Sequence, residues 1–591
     1  MEYKDIDLKY TWDLSLIYKN HNDFYNDLSK AKQLMTQLRD SKDIFLTDIE
    51  NFVQFHNDYT LLSRYLSKLH CFAHLNTDTM PSVQDYQSMY ASVGALLDEI
   101  SSSLDFYNVM MIDHSDIVKG YLDDKRVKKY KYHIECLLRE KDHTLSKEEE
   151  TLISKTYSLT DLSEKVFDSL RLEYEPVIIN GMEHELNSAT LAEFLKNKNA
   201  NIRMQAYHNF FKEYKKFENT FAQTLSGVMK KDAFYADIRK FETPLHQSLF
   251  ADHVPVQLFE KILDKANHQY ISYFHSYNEL KKEILGLDTL YNYDLNIPLC
   301  KTTHHTYTID ECFDIILEVT SIFGKEYTDV IRLAKEERWI DFYPYKGKRS
   351  GAYSSGCYDC RPYILMNFIG DYNSLSTMIH ELGHSVHTYF STKYQDDANS
   401  DYKIFVAEVA STVNETLLIN YMLTHASSDE EKAYFLYELL ESCVGLIYRQ
   451  PMFAKFEHIL HTYAKENKPM SAKIITDLYT DINRDYYGDK VTLDEYVGYS
   501  CFHIPHFYYN YYVYKYTLGM TCALAIVSRL LKGDEGQKEA YLHFLKSGGS
   551  KDPVDLLKDA HIDPLDDELY DEAYAYFKDI LEQFKSLMKR V

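Results

Sequence analysis

Residues 371–390 read DYNSLSTMIHELGHSVHTYF, and this stretch decides how the rest of the chain is interpreted. Apolar side chains recur in it at three- and four-residue steps, which is typical of a helix with one buried face. The residues of that face are Leu375, Ile379, Leu382, Val386 and Tyr389. Side chains between Asp371 and Ser374 can cap the start of the helix. We therefore predict a helix that continues to at least Phe390.

A second face of this helix carries His380, Glu381, His384 and His387. The first three form an H-E-x-x-H pattern, and residues four apart share a helix face, so both imidazoles can bind one zinc ion at about 2.0–2.1 Å. Glu381 can then accept a proton from a zinc-activated water without being a ligand. A chain of this composition shows the pattern by chance roughly once in fifteen. The alternative is a solvated helix face that happens to carry histidines.

Catalytic zinc needs a third protein ligand. His387 lies too close to His384 for the third histidine of a metzincin, and we expect it only to support the ligands or to lie next to them. Residues 405–415, FVAEVASTVNE, offer a better candidate. Glu408 is the predicted ligand, and Glu415, seven residues later on the same helical face, can orient a ligating imidazole. The small residues Ala407, Ala410 and Ser411 would let the two helices pack closely.

A small β-hairpin is predicted just before the helix that carries His380 and His384, which we call the metal helix. Its strands are the β-friendly runs Lys348–Tyr353 and Tyr363–Phe368, and the loop between them contains Gly356 and Pro362. The loop also contains a C-x-x-C pair, Cys357 and Cys360. No second pair accompanies it to complete a structural zinc site, and nothing around it resembles thioredoxin, so we interpret this spacing as coincidental.

An aromatic segment follows at 503–516, HIPHFYYNYYVYKY. Pro505 suits the first turn of a helix, on which His506, Asn510 and Tyr514 would form one stripe. A tyrosine hydroxyl of that stripe could stabilise an oxyanion. In a chain with 53 tyrosines, a tyrosine-rich helix is more often part of the core.

The composition narrows the class of protein. The 591 residues carry a net charge of -25, which disfavours binding to nucleic acid or to an anionic membrane surface. The first residues form no secretory signal, and the longest apolar stretch, Leu518 to Val527, is too short to span a membrane and is predicted to be a buried helix. Nine scattered cysteines suit a reducing compartment. We expect a cytoplasmic enzyme.

Most of the chain has helical periodicity, and the fold class is mainly α. The strongest strand signal in the first half is at 176–186, where Asn180 and Gly181 predict a hairpin turn. We place a soft domain boundary near residue 195, with a helical N-terminal domain at 1–195 and a catalytic zinc-peptidase domain at 196–591.

Taken together, HELGHS, FVAEVASTVNE and IPHFYYNYYVYKY resemble oligoendopeptidase F of the thimet-oligopeptidase (M3) family of zinc metallopeptidases. The segments RSGAY, PYILMN and, near the N-terminus, WDLSLIY are similar to that family too. The resemblance spans nearly the whole chain. It implies a large helical body of two lobes that encloses a deep channel, with a small sheet beside the zinc helix, and hydrolysis of short peptides with one zinc ion.

The resemblance also implies roles for single residues. His380, His384 and Glu408 would be the zinc ligands, and Glu381 the general base. Tyr514 matches the tyrosine that stabilises the transition state, and His506 the histidine near the substrate carbonyl. Gly351, Ala352 and Tyr353 would form the edge strand along which a peptide lies.

The chain departs from the family pattern at one position. Phe507 stands where thimet-type relatives have a second tyrosine, and Tyr508 and Tyr511 are both candidates to contact substrate in its place. Two alternatives to an endopeptidase stay open: a zinc exopeptidase, and a non-catalytic peptide-binding protein of the same fold.

Overall fold

A computed structural model describes residues 3–301 and 305–590 of the chain. Helices dominate it, in agreement with the predicted fold class. In the first half they are α1 (His21–Asp40), α2 (Ile49–Thr79), α3 (Gln84–Ser103), α4 (Phe106–Asp113), α5 (Ser115–Tyr121), α6 (Lys131–Arg139), α7 (Lys147–Thr160), α8 (Leu162–Ser169), α9 (Ser188–Leu195), α10 (Ala200–Lys216), α11 (Glu218–Ile238), α12 (Pro244–Phe250), α13 (Val256–Asp264) and α14 (Ile271–Leu285). The first half also contains strands β1 (Val177–Ile179) and β2 (Met182–His184).

The second half adds three strands, β3 (Ile340–Asp341), β4 (Tyr353–Cys357) and β5 (Cys360–Leu365). Its helices are α15 (Ile309–Thr320), α16 (Lys325–Glu336), α17 (Tyr372–Tyr394), α18 (Ile404–His425), α19 (Asp429–Cys443), α20 (Gln450–Lys465), α21 (Ala472–Tyr487), α22 (Tyr514–Leu531), α23 (Glu535–Lys546), α24 (Pro553–Asp559) and α25 (Asp567–Met588). Short 3₁₀ turns connect many of these elements.

The chain forms two compact units, each assembled from three separate segments. The first unit comprises Met1–Thr144, His304–Tyr421 and Arg529–Ile562. The second comprises Leu145–Thr303, Met422–Ser528 and Asp563–Val591. Both units are therefore interleaved along the sequence, whereas the boundary near residue 195 divides the chain only once. That boundary, like the deep channel, stays a prediction.

The first unit contains a three-stranded sheet with the order β3-β5-β4. β5 pairs parallel to β3 and antiparallel to β4, so β4 forms an edge. The inner residues of this sheet, among them Tyr363 and Leu365, join the aromatic core that α1 to α4 build around Phe45, Phe52 and Phe72. This packing fixes the position of the β4–β5 hairpin, which precedes α17 in the sequence.

The strand ends predicted for this hairpin were wrong. Lys348 does not begin a strand, because its ammonium group folds back onto the carboxylate of Asp341 at 2.5 Å and both side chains are fully buried. Gly351 has a φ of +84°, which an extended strand does not permit. β4 therefore starts at Tyr353, and the turn between the strands is only two residues long, between Cys357 and Cys360.

The second unit contains the other hairpin, in the position that the sequence predicts. β1 and β2 pair antiparallel, and Ile179 lies opposite Met182. The two residues between them, Asn180 and Gly181, both have positive φ angles, of 53° and 80°. Asparagine followed by glycine is the preferred sequence for such a turn, since its twist matches that of the flanking strands.

The apolar stretch Leu518 to Val527 lies within α22, and its apolar side chains are buried. The buried-helix prediction for this stretch is confirmed. Among the described residues, we find no helix with both the length and the apolar character needed to cross a membrane.

Candidate metal centre

The helix that carries the H-E-x-x-H pattern begins as its sequence predicts. The carboxylate of Asp371 accepts a hydrogen bond of 2.8 Å from the backbone amide of Ser374 and so caps α17. Four residues of the predicted apolar face, Leu375, Ile379, Leu382 and Val386, are fully buried. Because this face is fixed in the core, His380 and His384 project together from the other side, with ring centres 4.9 Å apart.

α18 packs against α17 at the position of Gly383. A Cβ atom on this glycine would lie 2.9 Å from the carbonyl oxygen of Ala410 and 2.9 Å from the Cα of Ser411. The amide of Asn414 adds a hydrogen bond of 3.2 Å to the carbonyl oxygen of Ile379. This close approach, which the small residues of α18 predicted, brings Glu408 to the two histidines.

We expect Gly383→Ala to lower the free energy of unfolding by about 1–3 kcal/mol, because the added methyl group would overlap backbone atoms that cannot rotate away. The change should also weaken metal binding, since α18 carries Glu408. Gly94→Ala is the matched control: Gly94 lies inside α3 with nothing near its Cβ position, and alanine should stabilise that helix by about 0.5–1 kcal/mol. Urea unfolding of both variants checks the prediction, which fails if the two behave alike.

Two imidazole nitrogens and one carboxylate oxygen converge between these helices. The Nε2 atoms of His380 and His384 each lie 3.7 Å from Oε2 of Glu408, and the three potential ligand atoms are all within 4.8 Å of one another. Ligands at about 2.1 Å from a tetrahedral ion are about 3.4 Å apart. The donor set and its spacing therefore fit a divalent cation such as zinc, with a fourth position left for water or substrate.

The electrostatics of the two histidines differ. Burial lowers the pKa of His384 to about 3, so its imidazole is neutral and its lone pair is available to a metal. Burial acts in the same direction on His380, but its hydrogen bond to Glu415 and the charges of the neighbouring carboxylates outweigh it and raise the pKa to about 9. Three carboxylates gathered around one imidazole form a strongly negative site, which favours a cation.

The carboxylate of Glu415 lies next to the imidazole of His380. Its Oε2 lies 3.1 Å from Nδ1 of His380, and its Oε1 accepts a hydrogen bond of 3.2 Å from the hydroxyl of Ser376. A carboxylate on Nδ1 fixes the tautomer of the imidazole, so that Nε2 presents its lone pair to the metal position.

Glu415→Gln should therefore lower the affinity for zinc about 10- to 100-fold, because the amide cannot support the required tautomer as a carboxylate does. Competition with a chromophoric chelator measures this affinity. Ser376→Ala is the control, since it removes the other hydrogen bond of Glu415 and leaves the bond to His380 intact. Equal affinities of the two variants would contradict an orienting role for Glu415.

Glu381 lies beside the three potential ligands but is not one of these converging groups. It is buried, and its Oε2 has no hydrogen-bond partner within the described protein. Burial raises its pKa to about 7, against the opposing effect of His380. The backbone of Ser354 on β4 also hydrogen-bonds to this carboxylate. A buried carboxylate with a free oxygen and a pKa near neutrality has the properties of a general base.

The edge strand β4 differs from the predicted one. It comprises Tyr353–Cys357, so that only Tyr353 of the three residues predicted to form the edge strand belongs to it, and Gly351 and Ala352 precede it. The hydroxyl of Tyr353 donates a hydrogen bond of 2.8 Å to Asp78 of α2. Sequence reasoning missed Ser354, which joins the strand to the metal helix through a hydroxyl contact of 2.9 Å with Ser385.

His387 is part of the core. Its ring stacks on Tyr402 with centres 3.7 Å apart and lies 5.3 Å from the ring of Phe544. Burial lowers its pKa to about 3. These contacts describe a packing residue next to the site, which is the simpler of the two roles expected for it.

The aromatic segment belongs to the second unit and is not one helix. Pro505–Tyr508 forms a single 3₁₀ turn, and α22 starts only at Tyr514. Between them, Asn510 and Tyr511 have positive φ angles of 43° and 56°, which end helical geometry. The predicted helical stripe of His506, Asn510 and Tyr514 is therefore wrong.

A buried carboxylate maintains this irregular backbone. Oε1 of Glu457 on α20 accepts a hydrogen bond of 2.5 Å from the amide of Tyr511. The Tyr511 hydroxyl lies 3.1 Å from Nδ1 of His458, and its ring stacks on His461 at 4.5 Å. Sequence reasoning missed Glu457, because nothing local to either segment indicates this contact.

Tyr508 and Tyr511, the candidates to take the place of the family tyrosine that is Phe507 here, both make contacts in the interior of the second unit. Tyr511 is fixed as described, and the hydroxyl of Tyr508 lies 2.8 Å from that of Thr224 while its ring stacks on Phe167 at 4.2 Å. Both side chains are buried. Their role in substrate binding stays a prediction, and the contacts within the second unit give them a structural one.

Tyr514 is buried at the start of α22, with its ring 5.8 Å from that of Phe259 in an edge-on arrangement. Burial and the charge of Asp252 raise its pKa, so the hydroxyl keeps its proton and remains a hydrogen-bond donor. His506 is partly exposed, and burial lowers its pKa, which keeps the imidazole neutral.

Comparison with known proteins identifies the family of the chain. The family model described as peptidase family M3 matches residues 193–576, and the one described as oligopeptidase F matches residues 114–172. Oligopeptidase PepF of Bacillus subtilis is 33% identical over 98% of this chain and 88% of its own length. Group B oligopeptidase PepB of Streptococcus agalactiae is 31% identical over 99% of this chain and 98% of its own.

Solved structures extend the similarity to the fold. A crystal structure from Chlamydophila abortus has a TM-score of 0.92 at 28% identity and covers 99% of both chains. Oligoendopeptidase-F from Enterococcus faecium has a TM-score of 0.75 at 26% identity, over 97% of this chain and 100% of its own. The resemblance noted in the sequence is confirmed over the full length, and the chain belongs to peptidase family M3.

Proposed function

We propose that this protein is a zinc-dependent endopeptidase that hydrolyses short oligopeptides. The observation that carries the proposal is a convergence within one unit: the cluster of His380, His384 and Glu408, a buried Glu381 next to it, and a sheet edge at the same place. Two imidazoles and a carboxylate are the protein ligands of many zinc peptidases, and they leave one coordination position open.

The edge strand gives a peptide a way to bind. β4 has a neighbour on one side only in the described sheet, so an extended peptide can add to the other side by backbone hydrogen bonds. Its residue Ser354 contacts both Glu381 and, through Ser385, the metal helix. A peptide bound along β4 would therefore pass beside the general base. Backbone recognition suits substrates of varied sequence, because it does not depend on side chains.

A divalent ion held by the three ligands would polarise the scissile carbonyl and the attacking water. Glu381 accepts the proton of that water and passes it to the leaving nitrogen. Burial raises the pKa of its carboxyl group, which favours uptake of that proton. Glu415 maintains the orientation of His380 throughout.

We further propose that Tyr514 and His506 help to stabilise the oxyanion of the tetrahedral intermediate, as the family resemblance implies. A protonated tyrosine hydroxyl can donate to an oxygen as negative charge develops on it. Free thiols at all nine cysteines support the assignment to a reducing compartment, which we propose to be the cytoplasm.

Tyr514→Phe should lower kcat about 10²- to 10³-fold with little change in KM, since it removes a donor that acts mainly in the transition state. Steady-state kinetics on a fluorogenic peptide measure both constants. Tyr512→Phe is the control, because it removes a hydroxyl from the same aromatic segment. An unchanged kcat in Tyr514→Phe would remove this residue from the catalytic group.

Mass-spectrometric mapping of a mixed peptide library tests the function as a whole. Internal cleavage of peptides blocked at both ends, abolished by a chelator and restored by zinc, is the expected result. Cleavage confined to free termini would identify an exopeptidase. Binding of peptides without any cleavage in a zinc-loaded protein would identify a non-catalytic member of the fold.

A further inference from the structure

Three cysteine thiols of the first unit meet at the tip of the β4–β5 hairpin. Sγ of Cys357 lies 3.0 Å from Sγ of Cys360, and Sγ of Cys360 lies 3.4 Å from Sγ of Cys71 on α2. The C-x-x-C spacing of Cys357 and Cys360, which we interpreted as coincidental from the sequence, therefore belongs to a cluster. Its third member, Cys71, is far away in the sequence. Nothing in the proposed peptidase mechanism uses these groups.

The backbone favours a bond between the two hairpin cysteines. Cys357 and Cys360 are directly opposed across the antiparallel pair and flank a turn of two residues. Their sulfur atoms need to approach by only about 1 Å to reach the disulfide length of about 2.05 Å. The turn itself is fastened to α2, because Arg64 donates hydrogen bonds of 2.9 Å and 2.6 Å to the carboxylate of Asp359.

One member of the cluster is accessible. Cys360 is partly exposed and lines a surface cavity of about 450 Å³, together with Tyr358, Asp359 and Arg361. Cys357 and Cys71 are buried behind it. A disulfide that enters this cavity therefore meets Cys360 before it meets the two buried thiols.

The thiols also differ in acidity. Hydrogen bonding within the cluster lowers the pKa of the Cys357 thiol and raises the pKa values of the Cys360 and Cys71 thiols. The three thiols therefore hold one negative charge between them, and a thiolate is the form that attacks a disulfide.

We propose that Cys357 and Cys360 form a reversible disulfide with low-molecular-weight disulfides such as glutathione disulfide, and that the β4–β5 hairpin is a redox-sensitive site. Cys360 attacks one sulfur of glutathione disulfide; its proton passes to Cys357, a Cys360–glutathione bond forms, and one glutathione leaves as a thiolate. Cys357 then attacks Sγ of Cys360, its proton leaves with the second glutathione, and the mixed disulfide breaks. Two thiols are oxidised, and one glutathione disulfide is reduced to two glutathione molecules.

The location gives this bond a consequence for the peptide-binding edge. β4 runs from Tyr353 to Cys357, and its pairing with β5 shifts between Ser355 and Cys357. A Cβ atom on Gly356 would lie 3.0 Å from the Cα of Pro362 and 3.2 Å from the methyl carbon of Thr388 on α17, so β4 lies close to both. A contraction at the tip is therefore transmitted along β4 toward Ser354. This part of the inference rests on the proposed function.

Peptide mapping of the full-length protein tests the bond itself. After incubation with glutathione disulfide, Cys357 and Cys360 should resist alkylation, and the peptide that contains both should lose the mass of two hydrogens. Dithiothreitol should reverse both changes. Cys360→Ser should abolish the bond, whereas Cys71→Ser should retain it. Cys300→Ser, which alters a partly exposed cysteine of the second unit, is the matched control and should leave the bond unchanged.

Three results would overturn the proposal: full alkylation of both cysteines in the folded, oxidant-treated protein, a disulfide that maps to Cys71 in the wild-type chain, or a metal ion bound by the three thiolates. Since the mapping needs no peptidase activity, its failure is distinct from failure of the proposed function.

Peptide hydrolysis is measured separately, and oxidation should lower kcat/KM several-fold in the wild type and leave Cys360→Ser unaffected. Equal activity of the oxidised and reduced wild type would refute the effect on β4 while leaving the bond established.

Discussion

Glu381→Gln is expected to lose about 10²- to 10⁴-fold or more in kcat while the protein keeps its metal and its fold. Glutamine has nearly the same shape as glutamate, so the three ligands and the buried position next to them are preserved. It cannot accept the proton of the attacking water, however, and cannot return one to the leaving nitrogen. The change therefore removes proton transfer and little else.

Kinetics on a fluorogenic peptide, together with the zinc content of the same sample, measure this effect. The matched control is Glu336→Gln, which alters an exposed glutamate at the end of α16 and should leave both values unchanged. Substantial hydrolysis by a zinc-replete Glu381→Gln protein would show that another group acts as the base.

Glu408→Ala has the second large expected effect, the loss of the metal and with it of hydrolysis. Only His380 and His384 would remain as ligands, which is one fewer than a catalytic zinc site uses. The fall in affinity should exceed the roughly 10- to 100-fold expected when a supporting residue such as Glu415 is changed. Glu408 is partly exposed, so the fold should tolerate its removal.

Thermal unfolding with and without added zinc measures the loss. A bound ion stabilises the folded state by mass action, so the unfolding midpoint of the wild type should rise with zinc and that of Glu408→Ala should not. Ser411→Ala is the control: it removes a hydrogen bond of 3.1 Å to the same carboxylate and leaves the ligand itself in place. A zinc-dependent midpoint in Glu408→Ala equal to that of the wild type would contradict the ligand assignment.

The sequence predicted the cluster of two histidines and a glutamate because much of its pattern is local. Residues three and four apart share a helix face in any context, so the relative positions of His380, Glu381 and His384 follow once the helix is recognised. The approach of α18 was also readable, since Ala410 and Ser411 have no bulk to keep the helices apart. The sequence did not indicate which residue of α17 contacts α18, and the structure shows that it is Gly383.

The aromatic segment shows where such reasoning fails. Its residues are compatible with one helix, yet a carboxylate from α20 binds the amide of Tyr511 and stabilises a left-handed backbone there. The competing interaction comes from far along the chain, and tertiary contacts of this kind override local preference. The cysteine cluster was not predicted for the same reason, because Cys71 is remote in sequence from the hairpin that it contacts.

The interleaved assembly of the two units has a consequence for how the chain is made. The first unit includes Arg529–Ile562, so it lacks part of its structure until nearly the whole polypeptide has been synthesised. Until that segment is available, the helices of the N-terminal segment expose the apolar surface that it covers in the folded unit. Contacts between segments so far apart in sequence also form slowly. Chaperones that bind nascent chains would have an extended period in which to act, and fragments cut at a single point would be poor candidates for independent folding.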